Sequence, residues 1–190
     1  MTTFINADTI VGGAVVTADA SGELALQSAG TTALTAASGN VSIANKMTVV
    51  GTSSTAGLKI ADVLETATAT TTAATGTINY DVTTQVVLFY TSNASANWTV
   101  NFRGSSGTSL NTLMATGESL TAAFLVTQGA TAYFNSSVQV DGTTSGVTTR
   151  WQGGTAPSAG NASGVDAYTY TIIKTANATF SVFAAQTRFA

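Results

Sequence analysis

The feature of this sequence that most constrains its fold is the uneven distribution of aromatic residues, because none lies between Phe4 and Tyr80. The first part of the chain therefore supplies only a few large apolar side chains. A single copy of that part cannot bury enough surface to offset the entropy lost on ordering. From Gly76 onward large apolar residues are dense. The sequence thus predicts two parts, of which only the second has the material for a core of its own.

In the first part, apolar residues recur at every second position, which is the period of a β-strand. Turn-forming residues such as Ser38-Gly39-Asn40 separate these short segments. Short repetitive strands are stable when they stack on identical neighbours. We therefore predict a slender arm or stalk over residues 1–57 that intertwines with sister copies. A polar leader without fixed structure is the alternative, and the regular alternation favours the arm. The alternating pairs are Leu24 with Leu26, Val41 with Ile43, and Met47 with Val49.

Residues 58–75 are interpreted as a linker. Leu58 to Glu65 could form two helical turns, with apolar positions on one side, or equally a strand. The run from Thr66 to Thr75 consists of Thr and Ala. Such a run offers nothing large to bury, and it is typical of a connection between two parts.

Residues 76–190 are predicted to form an all-β domain. Trp98, Val100 and Phe102 alternate with polar residues, as in a strand with one buried face. Many short strands at this spacing, separated by Gly- and Ser-rich turns, indicate a β-sandwich or a jelly-roll-like domain. The predicted strands are Thr77 to Asp81, Gln85 to Thr91, Asn97 to Arg103, Ser119 to Thr127, Ala132 to Phe134, Val138 to Asp141, Val147 to Gln152, Ala167 to Thr175 and Thr179 to Ala185.

Charge is scarce, at 8% of residues, with a net charge of −3. Solubility then depends on Thr, Ser and Asn, and such a surface suits a protein that is covered by neighbours. So little positive charge gives no nucleic-acid footprint. No apolar run is long enough for a membrane helix. Met1 to Asp8 contain no signal-peptide pattern, so we expect synthesis in the cytoplasm of the cell that makes the protein.

The sequence has no His and no Cys, which excludes Ser-His-Asp triads and thiol chemistry and nearly excludes zinc sites. Glu118, Asp141 and Asp166, beside Trp98 or Trp151, could in principle hydrolyse a glycosidic bond. Isolated carboxylates in Gly- and Ser-rich turns are far more often turn-formers. We therefore predict no catalytic, cofactor-binding or metal-binding residues, and no enzyme.

Two further segments are weaker candidate sites. Asp19 to Gly22 and Asp141-Gly142 could offer oxygen ligands to calcium, but neither has the clustered spacing of a calcium loop. Trp151-Gln152-Gly153-Gly154 could present an aromatic ring to a sugar, although a core Trp at the end of a strand is the commoner arrangement.

Five segments of the second part carry a family resemblance. They are Gly76 to Ser95, Asn101 to Ser106, Trp151 to Ser163 (which begins with Trp-Gln-Gly-Gly-Thr-Ala-Pro), Tyr168 to Lys174 and Ser181 to Phe189. These segments resemble a module common in tailed phages of marine and freshwater bacteria, cyanophages especially. The opening, with Asn6-Ala7-Asp8 and Ala18 to Leu24, is similar to the N-termini of phage fibre-like virion proteins. The resemblance implies a homotrimer appended to a tail or head, and it carries no catalytic residues.

Together these observations predict a trimeric structural protein of the virion, with an intertwined N-terminal arm and an outward-facing β-domain. Its expected partners are its own copies, other virion proteins of the tail, collar or capsid, and host surface glycans. As a tail-fibre-like appendage it would take part in attachment. As a capsid decoration, cement or head-fibre protein it would stabilise the head. From other classes, a bacterial surface adhesin would share the composition, and a glycan-degrading enzyme is a more distant alternative.

Overall fold

The computed structural model of the protein describes residues 63–190 without a gap. Before them it describes three strands and the positions of Met47, Val49, Leu58 and Ile60. The chain divides into two compact units, Met1–Asp62 and Val63–Ala190, and each sheet of the described residues lies within one unit. Helix is nearly absent from the described residues, and the chain is all-β, as predicted.

The described part of the first unit is an antiparallel meander of three strands, in which β2 lies between β1 and β3. Leu34 of β2 is paired with Leu26 on one side and with Ile43 on the other. The alternating pairs around Leu24 and Val41 thus lie in strands, whereas Met47 and Val49 lie outside them. The strand bounds are β1 Leu24–Ser28, β2 Thr31–Ala37 and β3 Asn40–Ile43.

The second unit contains nine strands in two sheets, one short α-helix and one 3-10 turn. The bounds are β4 Ala67–Ala73, β5 Gly76–Asp81, β6 Val87–Ser92, β7 Trp98–Arg103, α1 Leu110–Leu113, β8 Ser119–Thr127, β9 Asn135–Val140, β10 Val147–Trp151, the 3-10 turn Gln152–Gly154, β11 Val165–Ala176 and β12 Thr179–Phe189.

The chain winds between the two sheets. Strands β4, β6 and β8 lie parallel in a six-stranded sheet of order β10-β12-β11-β8-β6-β4, and β5, β7 and β9 lie parallel in a three-stranded sheet. Consecutive strands of this part therefore never pair with each other. The antiparallel hairpin β11–β12 then occupies the middle of the larger sheet, and β10 pairs with β12 in parallel. These parallel pairs differ from the antiparallel strands of a jelly roll. Each crossover returns the chain to the same sheet in the same direction, and this produces parallel neighbours.

The two sheets face each other across an aromatic core. Phe102 of β7 lies against Tyr170 of β11, with 4.9 Å between the ring centroids. Trp98 of β7 contacts Phe124 of β8 and Tyr168 of β11 edge-on, at 5.8 and 5.7 Å. All of these rings are buried. The prediction that one face of β7 points inward is confirmed, and aromatic contacts of this kind add to the stabilisation from buried area.

Two segments differ from the expectation. The linker predicted over residues 58–75 contains β4, which pairs with β6, so the second unit begins at Val63 rather than at Gly76. The strand predicted from Ala132 to Phe134 is instead a loop before β9. The side chain of Gln128 accounts for the loop. Its amide nitrogen donates to the carbonyl of Tyr133 at 2.6 Å, and its amide oxygen accepts from the N–H of Tyr133 at 3.0 Å. These bonds occupy the groups that a neighbouring strand would need.

Candidate functional site

The three carboxylates that are candidate catalytic groups each bond to nearby backbone. The carboxylate of Asp141 accepts from the N–H groups of Leu110 and Asn111, at 2.6 and 2.9 Å. Glu118 accepts from the N–H of Ala115 at 2.8 Å. Carboxylates bonded in this way hold turns and helix starts in place. The geometry at each is that of a structural group, in line with the turn-former interpretation.

Asp166 is the most buried of the three, with no exposed surface. One of its oxygens, Oδ2, accepts from the Gln128 amide at 2.9 Å and from the Asn161 N–H at 3.0 Å. Its other oxygen, Oδ1, has no hydrogen-bond partner among the described residues. Gly160 packs so closely here that an added Cβ would lie 2.2 Å from the Tyr133 carbonyl oxygen. Asp166 therefore fastens two loops together in a space too tight for a ligand.

Neither calcium candidate gains support. Asp141 uses both carboxylate oxygens on the backbone of α1, and Asp19 to Gly22 lie outside the described residues. Within the part of the chain that the structure describes, no three acidic side chains lie close enough to hold a metal ion.

Trp151 belongs to the core. Its ring lies edge-on to Tyr168 and Tyr170, with centroids 6.3 Å apart in both cases. The half-buried ring also borders two shallow depressions of about 290 and 280 Å³. The first includes Phe183, which is 48% exposed, with the Arg150 guanidinium 5.9 Å from its ring centroid. Edge-on contacts with two core tyrosines account for this Trp, so the sugar-binding hypothesis for Trp151 stays a prediction.

The outer face of the three-stranded sheet is polar and internally hydrogen-bonded. The amide of Asn101 donates to Asn79 at 2.8 Å and accepts from the N–H of Gly142 at 2.7 Å. Next to them, Arg103 forms an ion pair with Asp81 on the neighbouring strand. Polar groups that are satisfied within one sheet leave little reason for that face to be covered.

The outer face of the six-stranded sheet has the opposite character, and we call it the apolar outer face. It consists of the residues on β6, β8, β11 and β12 that alternate with the buried core residues. None of these residues is charged. Among residues 63–190, Arg150 on the edge strand β10 is the one charged residue of this sheet whose side chain points to the same side. Its members are Val87, Phe89, Ser119, Thr121, Ala123, Leu125, Thr127, Val165, Ala167, Thr169, Thr171, Ile173, Ser181, Phe183 and Ala185.

A second exposed apolar set precedes β4 along the chain. Met47, Leu58, Ile60 and Leu64 are exposed by 58, 56, 54 and 101%. Met47, Leu58 and Ile60 belong to the first unit and Leu64 to the second. Single exposed apolar residues are ordinary, whereas contiguous apolar patches mark surfaces that bind another molecule. The short apolar groups of this segment are visible in the sequence. The apolar outer face is not, because its strands also carry apolar core residues and the sequence does not tell which of the two sets points outward.

No protein-family model matches the chain, and no curated protein or solved structure matches it significantly. The α-helix among the described residues has four residues, and no helix there is long and apolar enough to cross a bilayer. Among the described residues, the exposed apolar side chains before β4 and the apolar outer face are therefore the features that bear most directly on function.

Proposed function

We propose that this protein is a structural component of a tailed-phage virion, a trimeric tail-fibre-like appendage that takes part in particle assembly and in contact with the host surface. The observation that carries the proposal is the exposure of Met47, Leu58, Ile60 and Leu64 in a single copy of the chain. A chain that leaves these side chains in water is complete only when other copies cover them.

The energetics favour association. Moving one Leu, Ile or Met side chain from water into an apolar contact contributes about 1.5–3 kcal/mol. A threefold assembly would bury three copies of each side chain. Few charges oppose this contact, because the charges of residues 66–190 are few and balance each other. They are Asp81, Glu118, Asp141 and Asp166 against Arg103, Arg150, Lys174 and Arg188.

The sequence resemblance supplies the setting. The segments similar to phage modules contain β5 and β6 and parts of β7, β11 and β12, all of which contribute to the core of the second unit. The N-terminal resemblance to fibre-like proteins lies in residues that a fibre would use for anchoring. The virion, reached from the host cytoplasm during assembly, is the proposed location, and other virion proteins are the proposed partners.

Mass measurement of the recombinant full-length chain by light scattering tests the self-association. We expect the mass of a trimer. The double variant Leu58→Ser with Ile60→Ser should dissociate at a protein concentration roughly tenfold or more above that of the natural chain, since two apolar contacts are lost per copy. Leu113→Ser is the matched control, because Leu113 is also exposed, by 43%, but lies on α1. A natural chain that is folded and monomeric would contradict the proposal.

Location in the virion needs a separate experiment. Antibodies raised against the recombinant chain, applied to purified phage particles in the electron microscope, should label the tail. Labelling of the head would replace the fibre-like role with the decoration role, and particles without any label would show that the protein is not a virion component.

A further inference from the structure

We propose that the depression beside Phe183 binds an acidic sugar, a ring that carries a carboxylate. The depression lies at the edge of the six-stranded sheet, where β10 ends, and its volume is about 290 Å³. The inference deepens the host-surface contact of the proposed function, on which it rests, because it names the class of ligand and the residues that bind it. It assigns the aromatic contact to Phe183, whereas the ring of Trp151 packs against the core.

The strand register gathers polar side chains around the Phe183 ring. Arg150 of β10 is paired with Phe183 of β12, and Phe183 is paired with Thr171 of β11. Paired residues point to the same side of a sheet, so the aromatic ring lies between a guanidinium and a hydroxyl group. In the next row, Ala185 is paired with Thr169. The small side chain of Ala185 leaves room for a ligand beside the ring.

The polar groups of the depression are available to a ligand. Four polar side chains line it, all of them exposed and none of them hydrogen-bonded to another described side chain or backbone group. Together they offer a guanidinium fork, an amide and two hydroxyl groups, which match the hydroxyl groups and the ring oxygen of a sugar. The four are Arg150, Gln152, Thr169 and Thr171.

Phe183 supplies the apolar part of the site, since nearly half of its side chain is exposed. The C–H groups of a sugar ring form an apolar surface with a slight positive charge, which suits the negative face of an aromatic ring. The Arg150 guanidinium lies 5.9 Å from the Phe183 ring centroid, near the outer limit of a cation–π contact. One ligand can therefore contact the ring and the guanidinium together.

The charge of Arg150 selects an acidic ligand over a neutral one. Arg150 forms no ion pair with any residue of 63–190. A guanidinium binds a carboxylate through two parallel N–H···O hydrogen bonds, which are stronger than hydrogen bonds between neutral groups. An apolar protein surface fits this place poorly, because it would bury the guanidinium and the neighbouring hydroxyl groups without partners.

The size of the depression fits one sugar ring. Its volume is at the lower limit of the roughly 300–1,000 Å³ of small-molecule sites, and it is shallow, so the rest of a longer glycan would stay in solvent. We therefore expect weak binding of a single ring, with a Kd on the order of 1 mM. An oligomer that presents several such sites would bind a polysaccharide more tightly through multivalency.

The test compares ligands that differ in one feature, with the full-length chain and saturation-transfer NMR. D-Glucuronate and D-galacturonate carry both ring and carboxylate, D-glucose and D-galactose are the matched neutral rings, and succinate is a carboxylate without a ring. For at least one acidic sugar we expect a Kd about tenfold or more below those of its neutral counterpart and of succinate, because each of these lacks one contact. Equal binding of the neutral sugar or of succinate, or no binding of either acidic sugar, would overturn the inference.

Two pairs of variants locate the binding. Phe183→Ala removes the ring and Arg150→Gln removes the charge, and circular dichroism shows whether each variant is folded. The matched controls are Phe189→Ala and Arg188→Gln, at exposed positions of β12 outside the depression. We expect each site variant to weaken the binding of the acidic sugar about tenfold or more, and the controls to bind as the natural chain does.

The outcomes separate this inference from the proposed function. Unchanged binding in both site variants would place the sugar elsewhere and overturn the inference. A natural chain that is trimeric but binds no acidic sugar would overturn the inference alone. A natural chain that is monomeric but loses acidic-sugar binding in Phe183→Ala and Arg150→Gln would support the site and contradict the trimer of the proposed function.

Discussion

The carboxylate of Asp141, in the turn after β9, accepts the first two backbone N–H groups of α1, those of Leu110 and Asn111, at 2.6 and 2.9 Å. Ser109 accepts the N–H of Thr112 at 3.0 Å, so three of the N–H groups at the helix start have side-chain partners. A four-residue helix has little stability of its own. Its position therefore depends on the strand that presents Asp141.

Asp141→Asn should lower the free energy of unfolding by about 1–3 kcal/mol, because a carboxylate that accepts two N–H groups is replaced by a neutral amide with one acceptor oxygen. Asn tolerates the positive φ of 53° at this position, so backbone strain is not added. Urea unfolding measures the change. Asp81→Asn, in the partly exposed ion pair with Arg103, is the control and should cost no more than about 1 kcal/mol. Equal losses in the two variants would contradict the capping role.

Stability should fall as the pH rises from 10 to 12, because burial raises the pKa of Tyr80 from 10.0 to about 12. Burial also raises the pKa values of Tyr168 and Tyr170. The unfolded chain releases these protons first, so stability that is complete below pH 10 is lost as the pH approaches the folded-state pKa. Unfolding midpoints measured across this range test the slope, and Tyr80→Phe should make it shallower. An unchanged slope in Tyr80→Phe would show that Tyr80 does not contribute.

Tyr80→Phe should also cost about 1–2 kcal/mol at neutral pH. The Tyr80 hydroxyl donates to the main-chain carbonyl of Val86, and the carbonyl of Ala123 on β8 lies 3.3 Å away. Since Tyr80 belongs to the three-stranded sheet and Ala123 to the six-stranded one, the hydroxyl ties the two sheets together. Urea unfolding at neutral pH measures the loss. A variant as stable as the natural chain would show that the hydrogen bonding of the Tyr80 hydroxyl does not stabilise the fold.

Gly146→Ala should destabilise the second unit far more than Gly142→Ala. Both glycines have positive φ, 73° and 79°, so the backbone strain of about 1–2 kcal/mol is common to both. A Cβ at Gly146 would lie 2.3 Å from the Ala178 carbonyl oxygen, whereas nothing lies within 4 Å of one at Gly142. Thermal melts of both variants isolate the clash. Matching midpoints would mean that the turn at Ala178 moves aside without cost.

Lys174→Met should lower the free energy of unfolding by about 1–3 kcal/mol, because buried carbonyls lose their donor. The ammonium of Lys174 donates to the carbonyls of Asn111 and Met114, at 2.6 and 2.9 Å, and the residue is only 7% exposed. Met keeps the length of the side chain. Arg188→Met is the control: Arg188 is exposed and donates to the Ala159 carbonyl, so its loss should cost less. If urea unfolding shows a larger loss of free energy of unfolding for Arg188→Met than for Lys174→Met, the stabilising role of the Lys174 hydrogen bonds is contradicted.

The strands that the sequence predicts well are those with a strong apolar signal. The predicted strand from Ser119 to Thr127 is found with the same bounds, and the one from Asn97 to Arg103 differs by one residue. In β7 large apolar residues alternate with polar ones, and in β8 a continuous apolar run from Ala122 to Val126 marks the strand. The all-β class follows from such segments directly.

The missed strand β4 shows what the sequence cannot report. Its residues are Thr and Ala, none of them large and apolar. The strand is held by distant groups: the hydroxyls of Thr91 and Ser92 donate to the carbonyls of Thr70 and Thr71, at 2.9 and 2.6 Å. Parallel pairing is likewise decided by how crossovers return the chain, which no local pattern contains. The same holds for the apolar outer face, since its rows exist only after the strands are in register.

The winding of β4 to β9 determines how the second unit would respond to a pull. Its first turn, β4 and β5, forms the open edge of both sheets, so force applied through the preceding chain can detach one turn at a time from that side. The C-terminal strand β12 has neighbours on both sides: it pairs with β11 from Thr179 to Phe189 and with β10 from Phe180 to Ala184. A force transmitted from the first unit would therefore act first on the edge strands β4 and β5, shortly after Val63. A neighbouring copy that pairs with these two edge strands would hold them in place.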